Sequence, residues 1–301
     1  MKKDILALSE LSKTDFETLF QRASELKERH QKGIVETKLA GKTLGVLFEK
    51  PSTRTRVSFE VAMAQLGGTS LFINIKDTQM ARDEPVRDVA RVFSGYVDGL
   101  VLRTFSQTLT EEFAEFATIP VINALSDLYH PCQILSDIMT VIEAKGRYEN
   151  LKIVWVGDGN NVANSWINAA AVLGLNLVLA CPEGYFPDPG IVEAAKAKNC
   201  GNITITPDAA AAVKDADVIY TDVWISMGDS DSDEKKRAFA PFQVNAALLE
   251  NAAKGAIVMH CLPAHRGEEI TADVLEGTNA VVWAQAENKL HMHKAVLAEL
   301  L

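Results

Sequence analysis

The sequence is defined first by what it has little of. Its 301 residues include only four cysteines, Cys132, Cys181, Cys200 and Cys261, widely spaced and without a Cys-x-x-Cys pair. That spacing offers neither a disulfide framework nor a zinc cluster, and free thiols in a reducing compartment fit it better. No apolar run approaches membrane-spanning length. The first ten residues, Met1 to Glu10, hold only four consecutive apolar residues, too few for the core of a secretory signal. These absences predict a cytoplasmic protein. Positive charge is also in short supply, with 30 Lys and Arg against 40 Asp and Glu and a net charge of −10. Nucleic acid and anionic membrane surfaces both need a basic footprint, so neither is expected as a partner. Any anion must be held by a local cluster of cations.

Hydrophobic residues make up 48% of the chain, enough at this length for two domains with full cores. Residues 43 to 68 organise the first. Thr43 to Phe48 is an apolar run of strand length that Pro51 ends, and Val57, Phe59, Ala62, Met63 and Leu66 then recur at helical spacing. Ser52 or Thr53 can cap that helix, and Gly67 and Gly68 can stop it. Between strand and helix stand Ser52, Thr53, Arg54, Thr55 and Arg56, where backbone N–H groups at a helix start meet hydroxyls and guanidiniums. That combination reads as an anion site, with an ordinary capped helix and solvated arginines as the alternative.

Along the rest of the chain, residues 9 to 31 carry a helical pattern. Strands follow at Thr69 to Ile75, Gly99 to Leu102 and Val121 to Ala124. A helix beginning near Val86 is read with Val86, Val89, Ala90, Val92 and Phe93 inward. His130-Pro131-Cys132-Gln133 leads into another helix from Ile134. Strand ends in α/β sheets collect ligands, and these supply Ser52 to Arg56, then Arg103, then His130 with Gln133. Gly146 to Asn150 has the make-up of a boundary. Beyond it come strands at Lys152 to Val156, Asn176 to Ala180, Ile203 to Thr206, Asp217 to Thr221, Ala256 to His260 and Ala280 to Trp283, and a last helix from Gln285 to Leu301. The alternation predicts an α/β fold of two domains, each a mostly parallel sheet flanked by helices. The domains are read as 1–146 and 147–301, with the last helix packing back on the first.

Three stretches invite specific chemistry. Gly157-Asp158-Gly159-Asn160-Asn161 approaches a dinucleotide fingerprint, with Glu183 as a ribose acid, but Val162 stands at the third glycine. Its asparagines suit an amino acid or amide better. The alternating aspartates of residues 229–233 lack the glycine and the closing glutamate of a calcium loop; a solvated loop or a lid fits them. His260 and Cys261 lack a second ligand pair for zinc, and their adjacency does not make a nucleophilic dyad. His291 and His293 read as surface or helix-packing histidines.

Taken together, Phe48-x-Lys50-x-Ser52-Thr53-Arg54-Thr55-Arg56, His130-Pro131-Cys132-Gln133, Asp222-x-x-x-Ser226-Met227-Gly228 and His260-Cys261-Leu262-Pro263 resemble the carbamoyltransferases in order and spacing. The last two point to the ornithine branch. The resemblance runs from about residue 5 to the C-terminus. It implies transfer of a carbamoyl group from carbamoyl phosphate to the δ-amino group of L-ornithine, without a cofactor or metal, in a homotrimer with active sites at subunit interfaces. By the same resemblance, Ser52, Thr53, Arg54 and Thr55 hold phosphate and Gln79 reaches a neighbouring subunit's carbamoyl phosphate. Arg103, His130 and Gln133 contact the carbamoyl end. Asn161, Asp222, Ser226 and Met227 bind ornithine, Cys261 and Leu262 close the site, and Lys289 joins the carbamoyl phosphate contacts. Arg54, Arg103, His130 and Cys261 are the catalytic candidates. The family usually carries arginine where this chain has Lys289, and a lysine keeps the charge but not the planar fork. Residues 79–85 also depart from the family's Gly-Arg-Gly-Glu pattern. Acetylornithine, putrescine and aspartate enzymes, and a non-catalytic ligand-binding homologue, are the alternatives. The aspartate branch should offer a lysine after the second strand, where residues 77 to 85 have only Arg82 as a cation.

Overall fold

A computed structural model describes residues 3–225 and 233–301. It divides into two compact units, Met1–Ser136 with Asn288–Leu301, and Asp137–Glu287. The helices are α1 (Lys13–Gln31), α2 (Thr53–Gln65), α3 (Val86–Ser94), α4 (Gln107–Phe116), α5 (Pro131–Lys145), α6 (Asn161–Leu173), α7 (Pro189–Ala197), α8 (Ala209–Val213), α9 (Asp233–Phe239), α10 (Ala246–Leu249), α11 (Ala272–Leu275) and α12 (Val282–Leu300). Among the described residues, no helix is long and apolar enough to cross a membrane.

In the first unit, β1 (Thr43–Phe48), β2 (Thr69–Asn74), β3 (Gly99–Arg103) and β4 (Val121–Leu125) form a parallel sheet in the order β2-β1-β3-β4. β1 is buried from Leu44 onward and β3 throughout, as parallel strands covered on both faces must be. The chain goes one way from β1 to β2 and the other way to β3, so the switch point lies between β1 and β3, where open sheets hold ligands. Leu47, Leu100, Leu102, Phe113 and Val121 belong to one buried cluster. α1 opens on a reciprocal cap, with Asp15 N–H donating to Ser12 Oγ and Ser12 N–H to Asp15 Oδ2. It is tied along α12 by Lys27 Nζ to Asn288 Oδ1 (2.7 Å) and Arg22 Nε to Glu299 Oε1 (2.8 Å).

The second unit carries β5 (Lys152–Val156), β6 (Asn176–Ala180), β7 (Asn202–Thr206), β8 (Val218–Thr221) and β9 (Ile257–His260), parallel in the order β7-β6-β5-β8-β9. Its switch point lies between β5 and β8. Tyr220 stacks on Trp155 at 5.3 Å and meets the edge of Trp166 at 5.7 Å, filling the space under α6.

Several expectations need correction. Ala280 to Trp283 is no strand: Ala280 makes a single bridge to Val258, and α12 starts at Val282. An apolar run that short suits a helix start as well as a strand, and here Val282 enters the core of the second unit. Residues 131–133 are helix rather than lead-in, because proline is well placed in a first turn that needs no N–H. Val92 is half exposed rather than inward, since the face of α3 follows Val89 and Ala90. Of the paired glycines after α2, only Gly67 takes a positive φ, +85°. Gly68 packs close to backbone instead, since a Cβ there would stand 3.1 Å from the carbonyl oxygens of Leu39 and Lys42.

Gly159 shows the tightest approach in the turn after β5. A Cβ there would fall 2.2 Å from the Pro187 nitrogen, and the Gly159 N–H donates to the Tyr185 carbonyl. Gly159→Ala therefore pushes two backbone segments apart. Urea unfolding is expected to show a loss of about 2 kcal/mol, the scale of overpacking in a filled interior.

Candidate active site

In the first unit, the turns that follow β1 and β3 are laced together. Glu49 N–H donates to the Arg103 carbonyl (2.8 Å) and Glu49 Oε2 accepts from Phe105 N–H (2.8 Å). Ser52 caps α2: its Oγ accepts from Thr55 N–H and donates to Thr55 Oγ1 at 3.0 Å. Thr53 and Arg54 are exposed in the same first turn, and Thr55 is buried. Arg56 turns along the helix instead, onto Glu60 (2.9 Å) and over the Phe72 ring.

Arg103 ends β3 opposite a register shift, since its partner is Leu125 where the preceding Leu102 pairs with Asn123. The extra residue, Ala124, makes a bulge of the kind that re-aims strand ends beside sites. The chain from β4 to α5 is then fixed by buried amides and a hydroxyl. Asn123 Nδ2 donates to the Leu6 carbonyl and to Gln107 Oε1, and Ser126 Oγ donates to Gln107 Oε1 while accepting from Tyr129 N–H. This delivers His130 and Gln133, both buried. Lys289 from α12 donates to Gln133 Oε1 at 2.8 Å. Lys50, Arg103 and Lys289 are each more than 90% buried. Burial, then the charges of Lys289, Arg103 and His293, hold His130 well below the ordinary imidazole range, so it is a neutral hydrogen-bonding group. Cys132 next to it is pushed up to about 12 by burial and is no nucleophile. Gln79 stands apart: it is exposed in a short 3-10 turn after β2.

In the second unit, the turns after β5, β8 and β9 meet on Asp222. Asn160 Nδ2 donates to Asp222 Oδ2 (2.9 Å), and Cys261 Sγ and Val223 N–H both donate to Oδ1 (2.8 Å each). Asn161, the predicted contact, is the first residue of α6, beside Asn160. Ser226 and Met227 lie outside the described residues, as do residues 229–232 of the aspartate-rich loop. Leu262 has φ +58°, a strained value for a γ-branched side chain. It is held there by its N–H donating to His260 Nδ1 (2.9 Å). Accepting at Nδ1 places the His260 proton on Nε2, which donates to the fully buried Glu269 at 2.9 Å. Below it, His260 N–H donates to Gln285 Oε1, while Gln285 Nε2 and the Tyr220 hydroxyl each donate to Asp137 at 2.8 Å. Burial and the Asp137 carboxylate push the Tyr220 phenol well above its usual range. Asp222, His260 and Cys261 bring ligand-capable atoms within 4.8 Å of one another, yet both His260 nitrogens and the thiol are already hydrogen bonded.

Lys50, Glu269 and the Asp137–Tyr220–Gln285 group carry no site assignment from the sequence, and Asn160 carries only the general one of an asparagine suited to an amino acid or amide. Lys50 sits inside the quoted motif, and Asn160 has the form of an N-cap. Glu269 and the buried trio give no local signal, since only the fold brings them to β8 and β9.

The chain thus carries two doubly wound parallel units, one with hydroxyls and cations at the start of α2 and one with a carboxylate held by an amide and a thiol, the arrangement of a two-domain α/β protein with polar groups at its strand ends. Residues 3–143 match the carbamoyl-P binding domain and residues 149–300 the Asp/Orn binding domain of aspartate/ornithine carbamoyltransferase. The chain belongs to that family. It is 58% identical to the ornithine carbamoyltransferase of Desulfotalea psychrophila and 56% identical to that of Syntrophus aciditrophicus, each alignment covering 100% of both chains. The solved ornithine carbamoyltransferase of Pyrococcus furiosus is similar at a TM-score of 0.94 and 49% identity, over 98% of this chain and 96% of that one.

His293 is also buried and held well below the usual imidazole range, by burial and then by Lys289. It stacks on Phe59 at 3.7 Å and bonds Ser58 Oγ through Nδ1. Because the unfolded chain binds a proton near pH 6.5 and the folded histidine does not, stability is lost as pH falls below 6.5 toward the folded value. His293→Phe should flatten the dependence of the unfolding free energy, measured by urea titration, on pH below 6.5 by up to about 1.4 kcal/mol per pH unit.

Proposed function

We propose that the protein transfers the carbamoyl group of carbamoyl phosphate to the δ-amino group of L-ornithine, giving L-citrulline and phosphate. The observation that carries the reading is the burial of Arg103 and Lys289, whose charges both act on an uncharged His130, with Arg103 at a strand end laced to the turn that precedes the capped, hydroxyl-rich start of α2 and Lys289 reaching Gln133 from α12. Two cations of like sign away from bulk water favour an oxyanion carrying more than one charge.

In this reading, residues 1–146 bind carbamoyl phosphate and residues 147–301 bind ornithine, with the C-terminal helix from about 285 returning to the first domain. Ser52, Thr53, Arg54 and Thr55 take the phosphate, with the N–H groups that open α2. Arg103, His130 and Thr55 donate to the carbonyl oxygen, where negative charge grows as the amine attacks; loss of one such donor typically costs about 3 kcal/mol. Gln133 and Lys289 bind at the same end, Gln133 orienting the ammonium that it accepts from. The carbon–oxygen bond to phosphate then breaks, the proton lost by the amine passes to the leaving phosphate, and Arg54 with the helix start stabilises the departing dianion. Asn161 and Asp222, with Ser226 and Met227, bind ornithine. Only its neutral amine attacks, and its δ-ammonium has a reference pKa near ~10.4. Cys261, whose thiol donates to Asp222, acts with Leu262 as a hydrogen-bonding wall and forms no covalent intermediate.

The proposed working form is a homotrimer in the cytoplasm, serving arginine metabolism, with Gln79 reaching a neighbouring subunit. Support for a subunit contact comes from an open pocket of about 400 Å³ lined by Phe48, Pro51, Ser52, Thr53, Arg56, Phe72 and the half-exposed Val57.

The test is citrulline formation from carbamoyl phosphate with ornithine, acetylornithine, putrescine and aspartate offered in parallel. Product with ornithine alone is expected. Cys261→Ser should lower turnover without abolishing it and leave no carbamoylated protein to trap. Product with another amine, or an isolable carbamoyl-enzyme, would contradict the reading.

A further inference from the structure

Asp222 is held more tightly than binding an ammonium requires. Its Oδ1 takes the Cys261 thiol and the Val223 N–H, and its Oδ2 takes the Asn160 amide. With a donor fixed on each oxygen, the carboxylate plane cannot rotate without breaking both sides. Asn160 is itself fixed at its other end, where Oδ1 accepts from Val162 N–H (2.9 Å) and Ala163 N–H (3.2 Å) to cap α6. The turn that carries it is rigid: Trp155 Nε1 donates to the Asp158 carbonyl, Lys235 pairs with Asp158 at 2.8 Å, and Gly159 lies against Pro187. An aspartate at this position would cap the helix as well but would turn a like charge on Asp222. A serine would cap it with a shorter arm. Asparagine alone joins a strong helix cap to an N–H that reaches the carboxylate.

We propose that Asn160 is a positioning residue that sets the plane of Asp222 for the incoming ammonium substrate, a role that rests on the assignment of Asp222 to ornithine. The helix start of α6 and the orientation of Asp222 are thereby one mechanical unit, so the carboxylate is pre-organised before substrate arrives.

The two duties separate in a pair of variants, Asn160→Asp and Asn160→Ser, each keeping a capping oxygen and removing the amide donor. The measurements are the urea midpoint and kcat and KM for each substrate. Asn160→Ser should unfold near the wild-type midpoint and Asn160→Asp below it, and both should keep the KM for carbamoyl phosphate and lose at least about tenfold in kcat/KM for ornithine, the scale of one hydrogen bond to a charged group. Asn160→Asp should lose more than Asn160→Ser because it adds repulsion. Equal losses toward both substrates with a lowered midpoint would reduce Asn160 to a helix cap and overturn the proposal. So would wild-type constants for ornithine in both variants while the wild type is active. Absence of citrulline from the wild type itself would instead overturn the functional reading, and this role with it.

Discussion

Parallel strands cannot be joined by tight hairpins, and that constraint governs the rest of the molecule. Each strand must be followed by a crossover that returns to the opposite edge, so every turn that leaves a strand does so at the same edge of its sheet. Both sheets reverse direction once, between β1 and β3 and between β5 and β8. The polar turns at those points collect side chains far apart in sequence: residues 49–55 with Arg103 in one unit, and Asn160 with Asp222 and Cys261 in the other. The apolar strands supply rigidity, and the chemistry stands on their ends.

Each unit then solves an electrostatic problem in its own way. The first accumulates buried positive charge and leaves His130 neutral by desolvation and repulsion, which suits an anion. The second keeps a carboxylate, Asp222, almost out of water by giving both its oxygens fixed donors. Beneath it, Asp137 is fully buried yet accepts from a phenol and an amide, and the same Gln285 amide anchors the end of β9 through His260 N–H. The shape of the His260–Leu262 turn is thus set by a buried polar network, which is costly to rearrange once all its members are satisfied.

The parts legible in the sequence were those with local causes. Apolar runs bounded by turn formers marked β1 to β9 within a residue or so, and Ser52 was legible as a cap for α2. The run at Ala280 to Trp283 misled because β-branched and aromatic residues open a buried helix as readily as they make a short strand. Val92 misled for a similar reason, since an apolar residue one step off the buried stripe still fits a helical period. The roles of Asn160, Glu269 and Gln285 were not legible, because each depends on a partner more than eight residues away. The free state of all four cysteines followed from their spacing, whereas the engagement of Cys261 with Asp222, 39 residues distant, did not.

In the proposed reaction the first unit's buried cations, hydroxyls and helix start form an oxyanion site that fills before ornithine arrives. Calorimetric titration of carbamoyl phosphate, with inorganic phosphate in parallel and ornithine absent, measures that filling. Saturable binding of carbamoyl phosphate at one site per chain is expected, with phosphate competing for that site and added salt weakening both. Binding of carbamoyl phosphate only after ornithine is supplied, or binding that phosphate does not compete for, would contradict it.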